Sequence, residues 1–164
     1  MLHLIPAPLH RAGLRVAHTL RKRWWRLRKP SIAGVRVLAF DPGGRLLLIR
    51  HSYGHDAWML PGGGLKRGEG PLAAAVRELR EEAGCELVDP VEAMVQDEAL
   101  WGARNRVHIV TGEARGAARP DRREVTEVAF FATDALPPDL ANVLRVYLAD
   151  WLTAATAARL RRAQ

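Results

Sequence analysis

Residues 63–85 of the chain read GGLKRGEGPLAAAVRELREEAGC. A glycine-rich turn leads here into a segment with Pro71 near its start and Gly84 just past its end, the positions that proline and glycine favour around a helix. The apolar residues 73–76 give this segment one side that can pack against the rest of the protein. We therefore predict a helix over 71–83.

Three glutamates of the predicted helix lie at i, i+3 and i+4, namely Glu78, Glu81 and Glu82. Side chains at this spacing project from one helix face, about 5–6 Å apart. Like charges so close together are costly unless a cation neutralises them, and carboxylate oxygens are ligands that suit Mg²⁺ and Mn²⁺. Glutamate-rich helices are most often solvated surface helices, but the apolar side of this one and the glycines directly upstream favour a metal site.

Two further charged residues can support these carboxylates. Arg77 stands next to Glu78 and can brace a carboxylate with its planar guanidinium group. Glu69 precedes the helix and can either pair with Arg77 or favour the helix N-terminus, where the helix dipole attracts negative charge. We therefore assign Glu69 and Arg77 supporting roles.

The order and spacing of these residues resemble the Nudix box. Gly63, five residues, Glu69, seven residues and then the run Arg77 to Gly84 match the box, and residues 58–64 are similar to the strand and turn that enter it. Cys85 departs from the pattern because the box closes on an aliphatic residue. This substitution should affect packing rather than chemistry.

The resemblance implies a Nudix-type α/β/α sandwich with a mixed sheet and a divalent metal, Mg²⁺ or Mn²⁺, at the box. The metal ligands that it implies are Glu78, Glu81 and Glu82, with the backbone carbonyl of Gly63 as an addition. The metal would neutralise the bridging phosphates and activate a water for in-line attack. The implied activity is Mg-dependent hydrolysis of the pyrophosphate bond in a nucleoside diphosphate linked to another group.

The general base stays open at this point. Members of the family often use a glutamate outside the box, and its position varies. Glu124 is the preferred candidate, ahead of Glu127 and Glu98. Alternatively, a box glutamate removes the proton from the water itself. The candidate catalytic residues are therefore Glu81, Glu82 and Glu124.

Candidate substrate contacts come from basic and aromatic residues near the box. Arg50 and Lys66 can contact phosphates, with Arg67 as an alternative to Lys66. Trp58 or Trp101 can stack on a nucleobase, although a tryptophan beside a strand more often belongs to the core. Three histidines lack the spacing of metal ligands, and we give them no role in the mechanism: His51, His55 and His108.

The segments around the box predict strands on both sides of the helix, as in a mixed sheet between helices. Residues 32–40 and 45–50 flank an Asp-Pro-Gly-Gly turn and predict a β-hairpin. Further elements are expected in the order of strands over 86–98, 104–112 and 124–131 and a final helix over 138–161. The stretches 97–105 and 112–123 are expected to shape the substrate pocket, with a loose loop beginning at Gly112.

The net charge of +7 is concentrated at the N-terminus. Residues 1–30 contain eight of the 25 Lys and Arg residues and no Asp or Glu, which leaves 17 basic and 18 acidic residues elsewhere. Within residues 9–28, apolar side chains recur at steps of three and four opposite a basic face, a pattern that predicts an amphipathic helix. We therefore expect a basic extension, residues 1–30, and a Nudix domain, residues 31–164.

Three interpretations of the basic helix stay open. It can dock on its own domain or on a second subunit, which would give a homodimer. It can lie on a membrane surface, because Trp24 and Trp25 stand among arginines. Charge alone gives only a weak, salt-sensitive attraction to nucleic acid, so specific nucleic-acid binding is not expected.

Length and cysteine content narrow the remaining classes. The 164 residues suit one domain with a short extension. A single cysteine cannot form an internal disulfide, and no apolar run approaches the roughly 20 residues that span a bilayer, so we expect a cytoplasmic protein, peripheral at the inner face of the membrane if the basic helix binds there. Alternatives to an enzyme are a non-catalytic Nudix-fold nucleotide-binding regulator and a membrane-surface protein, although the intact set of box carboxylates argues against a pure binding module.

Overall fold

The computed structural model describes residues 31–52, 56–100, 103–162 and 164. The predicted helix over 9–28, together with His55 and Trp101, lies outside the described residues. The elements follow in the order β1 (Ser31–Phe40), β2 (Leu46–His51), α1 (Pro71–Ala83), β3 (Glu86–Leu100), β4 (Ala103–Arg115), β5 (Val125–Phe131) and α2 (Asn142–Arg162). The helix predicted at the box and the predicted strands are therefore present.

The strands form one five-stranded mixed sheet in the order β3-β4-β1-β2-β5. β1 and β4 run parallel, whereas the other neighbours are antiparallel. Successive side chains of a strand point to opposite faces, so Val35 and Val37 pack toward α1 while Leu38 and Phe40 pack toward α2. Each helix covers one face of the sheet, which gives the three α/β/α layers that were predicted.

β1 and β2 diverge after the turn that joins them. The start of β2 pairs with the end of β1, but farther along the segment 58–65 enters the gap between the two strands. Toward β1, the Val35 amide donates to the Gly63 carbonyl oxygen at 2.8 Å, and toward β2 the backbone groups of Met59 and Ile49 exchange hydrogen bonds. The glycine-rich turn of the box is therefore held by the sheet itself.

Helix α2 begins later than predicted, at Asn142 rather than at residue 138. The residues before it are committed to an extended pairing with the box strand. The Trp58 amide donates to the Asp139 carbonyl oxygen at 2.9 Å, and the Ala141 amide donates to the Trp58 carbonyl oxygen at 2.8 Å. The Asp139 carbonyl oxygen, which a helix starting at residue 138 would use for an intrahelical bond, is thus bonded to the box strand instead.

The expectation of a loose loop beginning at Gly112 is wrong in its first part. β4 continues to Arg115, because the end of β4 pairs with the start of β3 at Glu86. The connection between β4 and β5 is therefore confined to residues 116–124. The stretch 97–105 spans the end of β3 and the start of β4, and its role in shaping the substrate pocket stays a prediction.

Apolar side chains form one core on each face of the sheet. Cys85 lies in the core beneath α1 and is 1% exposed, so its thiol fills an apolar position as expected for the departure from the box. Trp151 of α2 is fully buried in the core on the other face. Within the described ranges, neither helix is long and apolar enough to cross a membrane.

Candidate active site

Helix α1 places two of its glutamates against the glycine-rich turn. Glu78 and Glu82, one turn apart, have side chains that are only 12% and 8% exposed, and we call them the inner pair. Glu81 stays at the rim and is 55% exposed. The helix is fixed in this orientation because its apolar face packs on the sheet through Ala74, Ala75, Leu79 and Ala83. The predicted ligands therefore occupy two different environments.

The glycine-rich turn lies so close to Glu78 that a side chain at Gly63 would force the Glu78 carboxylate to move. A Cβ atom at Gly63 would overlap the Glu78 carboxylate, and one at Gly62 would overlap the Val35 carbonyl oxygen. The Gly62 amide donates to Glu82 Oε2 at 2.8 Å. The Gly63 carbonyl oxygen accepts one hydrogen bond from Val35 and, having two lone pairs, retains a site for another partner.

Glu82 is buried and forms no ion pair with a Lys or Arg of the described residues. Apart from the glycine turn, its neighbour is His51, whose Nε2 lies 3.8 Å from Glu82 Oε1. Burial raises the pKa of Glu82 well above its ordinary value, and the charges of Glu78, Glu124 and Asp121 raise it further. Because a buried charge is costly unless it is compensated, this position would be stabilised by a cation.

Arg77 joins the supporting glutamate to the box carboxylates. Its Nε and Nη2 donate to the two carboxylate oxygens of Glu69 at 2.7 and 2.9 Å, and its Nη1 donates to Glu78 at 2.7 Å and to Glu81 at 3.2 Å. The hydrogen bonds from Arg77 help lower the pKa of Glu69 to about 2. Burial raises the pKa of Glu78, although Arg77 opposes this rise. The pairing of Glu69 with Arg77 is thus present, and its supporting role in catalysis stays a prediction.

The chemistry of the donor set fits a hard divalent cation. In the part of the chain that the structure describes, no three Asp, Glu, His or Cys side chains are gathered around a common centre. The inner pair and the rim glutamate nevertheless supply only oxygen ligands, which Mg²⁺ and Mn²⁺ favour. Both members of the inner pair have raised pKa values, chiefly because they are buried. A cation would offset both the cost of burying these charged carboxylates and the repulsion between them.

The three candidate bases outside the box occupy different places. Glu124 lies directly before β5, is half-buried, and its charge contributes to the raised pKa of both members of the inner pair. Glu127 pairs instead across from Arg50 of β2. Glu98 forms a bidentate ion pair with Arg36 at 2.5 and 2.9 Å. Of these three, Glu124 is the one whose charge is among the main charges that raise the pKa of both Glu78 and Glu82.

Two residues beside the box have no role predicted from the sequence: His51 lacks the spacing of a metal ligand, and Asp121 is not among the candidates. The His51 imidazole lies near Glu82 on one side and is hydrogen-bonded to the backbone of Glu124 on the other. Burial lowers the pKa of His51. Asp121 accepts hydrogen bonds from the backbone amides of residues 123–125. The position of His51 depends on the pairing of β2 with β5, for which the sequence carries no local signal. The Asp-x-x-Glu spacing is typical of a side-chain-to-backbone turn and could have indicated Asp121.

The residues that were predicted to contact substrate contact other residues of the protein in this structure. The Arg50 guanidinium group contacts Asp56 at 3.0 Å and also Asp139, and it lies 4.7 Å from the centre of the Trp58 ring. Trp58 is 7% exposed and belongs to the core. Lys66 is 64% exposed at the rim, where its Nζ lies 3.8 Å from the nearer oxygen of the rim glutamate. Contact of Arg50, Trp58 and Lys66 with substrate stays a prediction.

Two curated relatives match part of this chain. Over 98 residues, 53% of this chain and 44% of the relative, it is 38% identical to the ADP-ribose pyrophosphatase of Mycobacterium tuberculosis. Over 50 residues, 30% of this chain and 29% of the relative, it is 48% identical to the RNA pyrophosphohydrolase of Saccharophagus degradans. The chain spans less than half the length of these two curated relatives.

Solved structures and a family model extend the likeness to most of the chain. The MutT NUDIX hydrolase of Burkholderia pseudomallei has a TM-score of 0.64 and 27% identity, over 73% of this chain and 96% of that one. The MutT protein of Methanosarcina mazei shares the fold, with a TM-score of 0.66 and 22% identity over 77% and 96% of the two chains. The NUDIX domain model matches residues 30–152. With the box, its buried carboxylates and this match in place, the chain belongs to the Nudix family.

Proposed function

We propose that this protein is a hydrolase that cleaves a phosphoric anhydride bond in a nucleotide-type substrate, using a divalent cation, Mg²⁺ or Mn²⁺. The observation that carries the proposal is Glu82, a buried carboxylate that forms no ion pair with a described Lys or Arg and that faces the glycine turn beside Glu78. Such an arrangement is costly for folding alone. It is useful when a cation and a phosphate chain are bound.

The residues that would hold the cation are the inner pair, Glu78 and Glu82, with Glu81 at the rim and the Gly63 carbonyl oxygen as a further donor. When bound, the cation would neutralise charge on the bridging phosphates and acidify water in the site. Helix α1 contributes rigidity, because its packed apolar face fixes where these carboxylates stand relative to the substrate.

The remaining groups are proposed to orient the carboxylates and to accept a proton. Arg77 and Glu69 hold Glu78 on the side of the glycine turn. Glu124 acts as the general base and takes a proton from the attacking water. The water oxygen then forms a bond to phosphorus while the bond to the bridging oxygen breaks, and the leaving phosphate departs with that oxygen.

The substrate class is proposed from the names of the relatives. One is an ADP-ribose pyrophosphatase and another an RNA pyrophosphohydrolase, so both act by name on phosphoric anhydrides attached to a nucleoside. A nucleoside diphosphate linked to another group is therefore the proposed class. The test panel should contain ADP-ribose, nucleotide sugars, dinucleoside polyphosphates, nucleoside triphosphates and 5′-triphosphorylated RNA.

The experiment measures turnover of this panel with Mg²⁺ and with Mn²⁺ for the unsubstituted chain and for Glu82→Gln. Loss of one buried ligand should lower kcat by about 100-fold or more, because several kcal/mol of transition-state stabilisation depend on the cation. Glu86→Gln is the matched control, since Glu86 is exposed and follows the box on β3. Mass analysis of products formed in ¹⁸O-labelled water shows which phosphorus accepts the water oxygen.

Two outcomes would contradict the proposal in different ways. Undiminished turnover by Glu82→Gln would show that Glu82 is not a required metal ligand. Binding of a panel nucleotide without any turnover by the unsubstituted chain would favour the non-catalytic regulator instead.

We also propose that residues 31–164 constitute the hydrolase domain and that residues 1–30 form a separate extension. The match of the NUDIX domain model to residues 30–152 supports the first boundary. Helix α2, which continues to Arg162 and buries Trp151 and Ala155 in the core, supports inclusion of the C-terminal residues.

A further inference from the structure

The turn that leads into β5 is organised by the carboxylate of Asp121. Its Oδ1 accepts hydrogen bonds from the backbone amides of Arg123 and Glu124 at 3.0 Å and from that of Val125 at 2.8 Å. Its Oδ2 accepts a further one from Glu124 at 3.2 Å. One side chain thus binds three successive amides, and the middle one belongs to the candidate base.

The carbonyl side of the same turn is held by the end of β2. The Ser52 amide donates to the Glu124 carbonyl oxygen at 2.7 Å, and Ser52 Oγ donates to the Arg123 carbonyl oxygen at 2.8 Å. Arg122 has a φ of 60°, a left-handed conformation that residues other than glycine adopt uncommonly. Both peptide groups that flank the Glu124 Cα atom are therefore fixed. Their amides are held by Asp121 and their carbonyl oxygens by Ser52.

This fixed backbone decides where the Glu124 carboxylate can reach. The His51 imidazole is hydrogen-bonded to the Glu124 backbone, and its Nε2 lies 3.8 Å from Glu82. The Glu124 charge also acts on both Glu78 and Glu82. A shift of the turn would therefore move the Glu124 carboxylate relative to the box glutamates, and displacements of about 1 Å can cost 100-fold in rate.

We propose that Asp121 is a positioning residue for Glu124, which it aims at the carboxylates of the box by binding the amides of residues 123–125. The inference rests on the proposed hydrolase function and on Glu124 as its base. Asp121 holds the turn through hydrogen-bond acceptance, for which a negative charge is not required. It is therefore replaceable by asparagine, whose side-chain oxygen can accept the three bonds that Asp121 Oδ1 accepts, although the longer bond to Oδ2 is lost.

The experiment compares kcat and KM of the full chain with those of Asp121→Ala, Asp121→Asn, Glu124→Ala and the double variant of Asp121→Ala with Glu124→Ala. Loss of a general base lowers kcat by about 10²- to 10⁴-fold. Asp121→Ala should lower kcat by about 10- to 100-fold with little change in KM. Asp121→Asn should retain most of the activity, and Asp121→Ala should cause no further loss once Glu124 is alanine.

Asp41→Ala is the matched control for a turn that is merely structural. Asp41 Oδ1 accepts the Arg45 amide at 2.8 Å in the β1–β2 turn, at the opposite end of β2 from His51. Its loss should lower thermal stability without changing kcat. Hydrogen exchange of the amides of residues 123–125 should be faster in Asp121→Ala and unchanged in Asp41→Ala, a readout that does not depend on activity.

The possible failures can be told apart. Faster amide exchange with unchanged kcat in Asp121→Ala would overturn the inference and leave the hydrolase function standing. Full activity of Glu124→Ala would overturn the inference in the same way. So would an equal loss of kcat when Asp121→Ala is added to the unsubstituted chain and to Glu124→Ala. Absence of hydrolysis by the unsubstituted chain on the whole panel would overturn the proposed function and this inference together.

Discussion

At the scale of single residues, Glu82 is a buried carboxylate whose charge is unfavourable in the absence of a cation. Its carboxylate is 8% exposed, lies near Glu78, Glu124 and Asp121, and forms no ion pair with a Lys or Arg of the described residues. Folding raises its pKa, so above its ordinary value of 4.5 the folded chain binds more protons than the unfolded chain. The free energy of unfolding without metal therefore decreases as pH rises through that window.

We expect Glu82→Gln to be more stable than the unsubstituted chain at neutral pH in the presence of a chelator. The glutamine oxygen can still accept the Gly62 amide, while the buried charge is gone. The difference should shrink as pH falls toward 4.5, because protonation removes the charge whose burial destabilises the folded chain. Thermal unfolding of both chains between pH 4.5 and 8 measures this difference in stability.

Added Mg²⁺ should reverse this order. At about 100 times its Kd, a cation that binds only the folded chain stabilises it by about 2.7 kcal/mol, and Glu82→Gln should lose most of this gain. Equal stabilisation of both chains by Mg²⁺ would contradict a role for Glu82 in holding the cation.

At the scale of elements, the glycine turn and helix α1 act as one unit. The turn lies between β1 and β2, and the helix packs over the sheet, so that a side chain at Gly63 would displace the Glu78 carboxylate. Gly64, the next residue, has open space, since a Cβ there would meet only the Ala33 carbonyl oxygen at 3.9 Å. The two adjacent glycines are thus predicted to differ sharply in how well they tolerate substitution by alanine.

We expect Gly63→Ala to displace the Glu78 carboxylate and to lower kcat by about tenfold or more, with a loss of stability of about 1–3 kcal/mol from overpacking. Gly64→Ala is the control and should leave both quantities near their original values. Steady-state kinetics and chemical denaturation of the two variants measure the effect. A Gly63→Ala variant with normal kcat would show that Glu78 need not stand where the turn now confines it.

At the scale of the whole molecule, charge separates the chain into unlike parts. Residues 1–30 carry eight basic and no acidic residues, whereas the remainder is nearly neutral. Every box residue and Glu124 lies in the second part. The basic character of the chain therefore gives no reason to assign nucleic-acid binding to the proposed hydrolase domain.

We expect residues 31–164 alone to fold and to keep the kcat of the full chain, because the two cores described above are formed within them. Circular dichroism and the substrate panel measure this outcome, and loss of folding would contradict the proposed boundary. Co-sedimentation with anionic vesicles, with and without residues 1–30, distinguishes the interpretations of the basic segment. Equal partitioning of both chains would argue against membrane contact.

The box was predictable because its information is local. Glycine and proline mark the ends of α1, and residues one helical turn apart share a face, so the helix and its carboxylates follow from spacing alone. The pairing of Glu69 with Arg77 also spans only eight residues. The sequence could not rank Glu81 against Glu82, because the difference between rim and interior depends on what lies over the helix.

The start of α2 shows the limit of this local information. The double proline at 137 and 138 predicts a helix that begins there, but the pairing of Trp58 with residues 139–141 delays it to Asn142. A contact across some eighty residues overrides the local preference. The extent of β4 beyond Gly112 is likewise decided by its partner strand β3.

What the sequence determined by itself is the family resemblance, the box helix and the spacing of its glutamates, since these depend on residue types at fixed short separations. Only the tertiary structure shows that Glu124 lies nearer the box than Glu98 and Glu127 do, and only it brings His51 and Asp121 beside the box. The reason is physical: the reach of Glu124 depends on the pairing of β2 with β5 and on a turn more than thirty residues beyond the box. Strand pairing joins distant segments, and no local pattern of side chains encodes that distance.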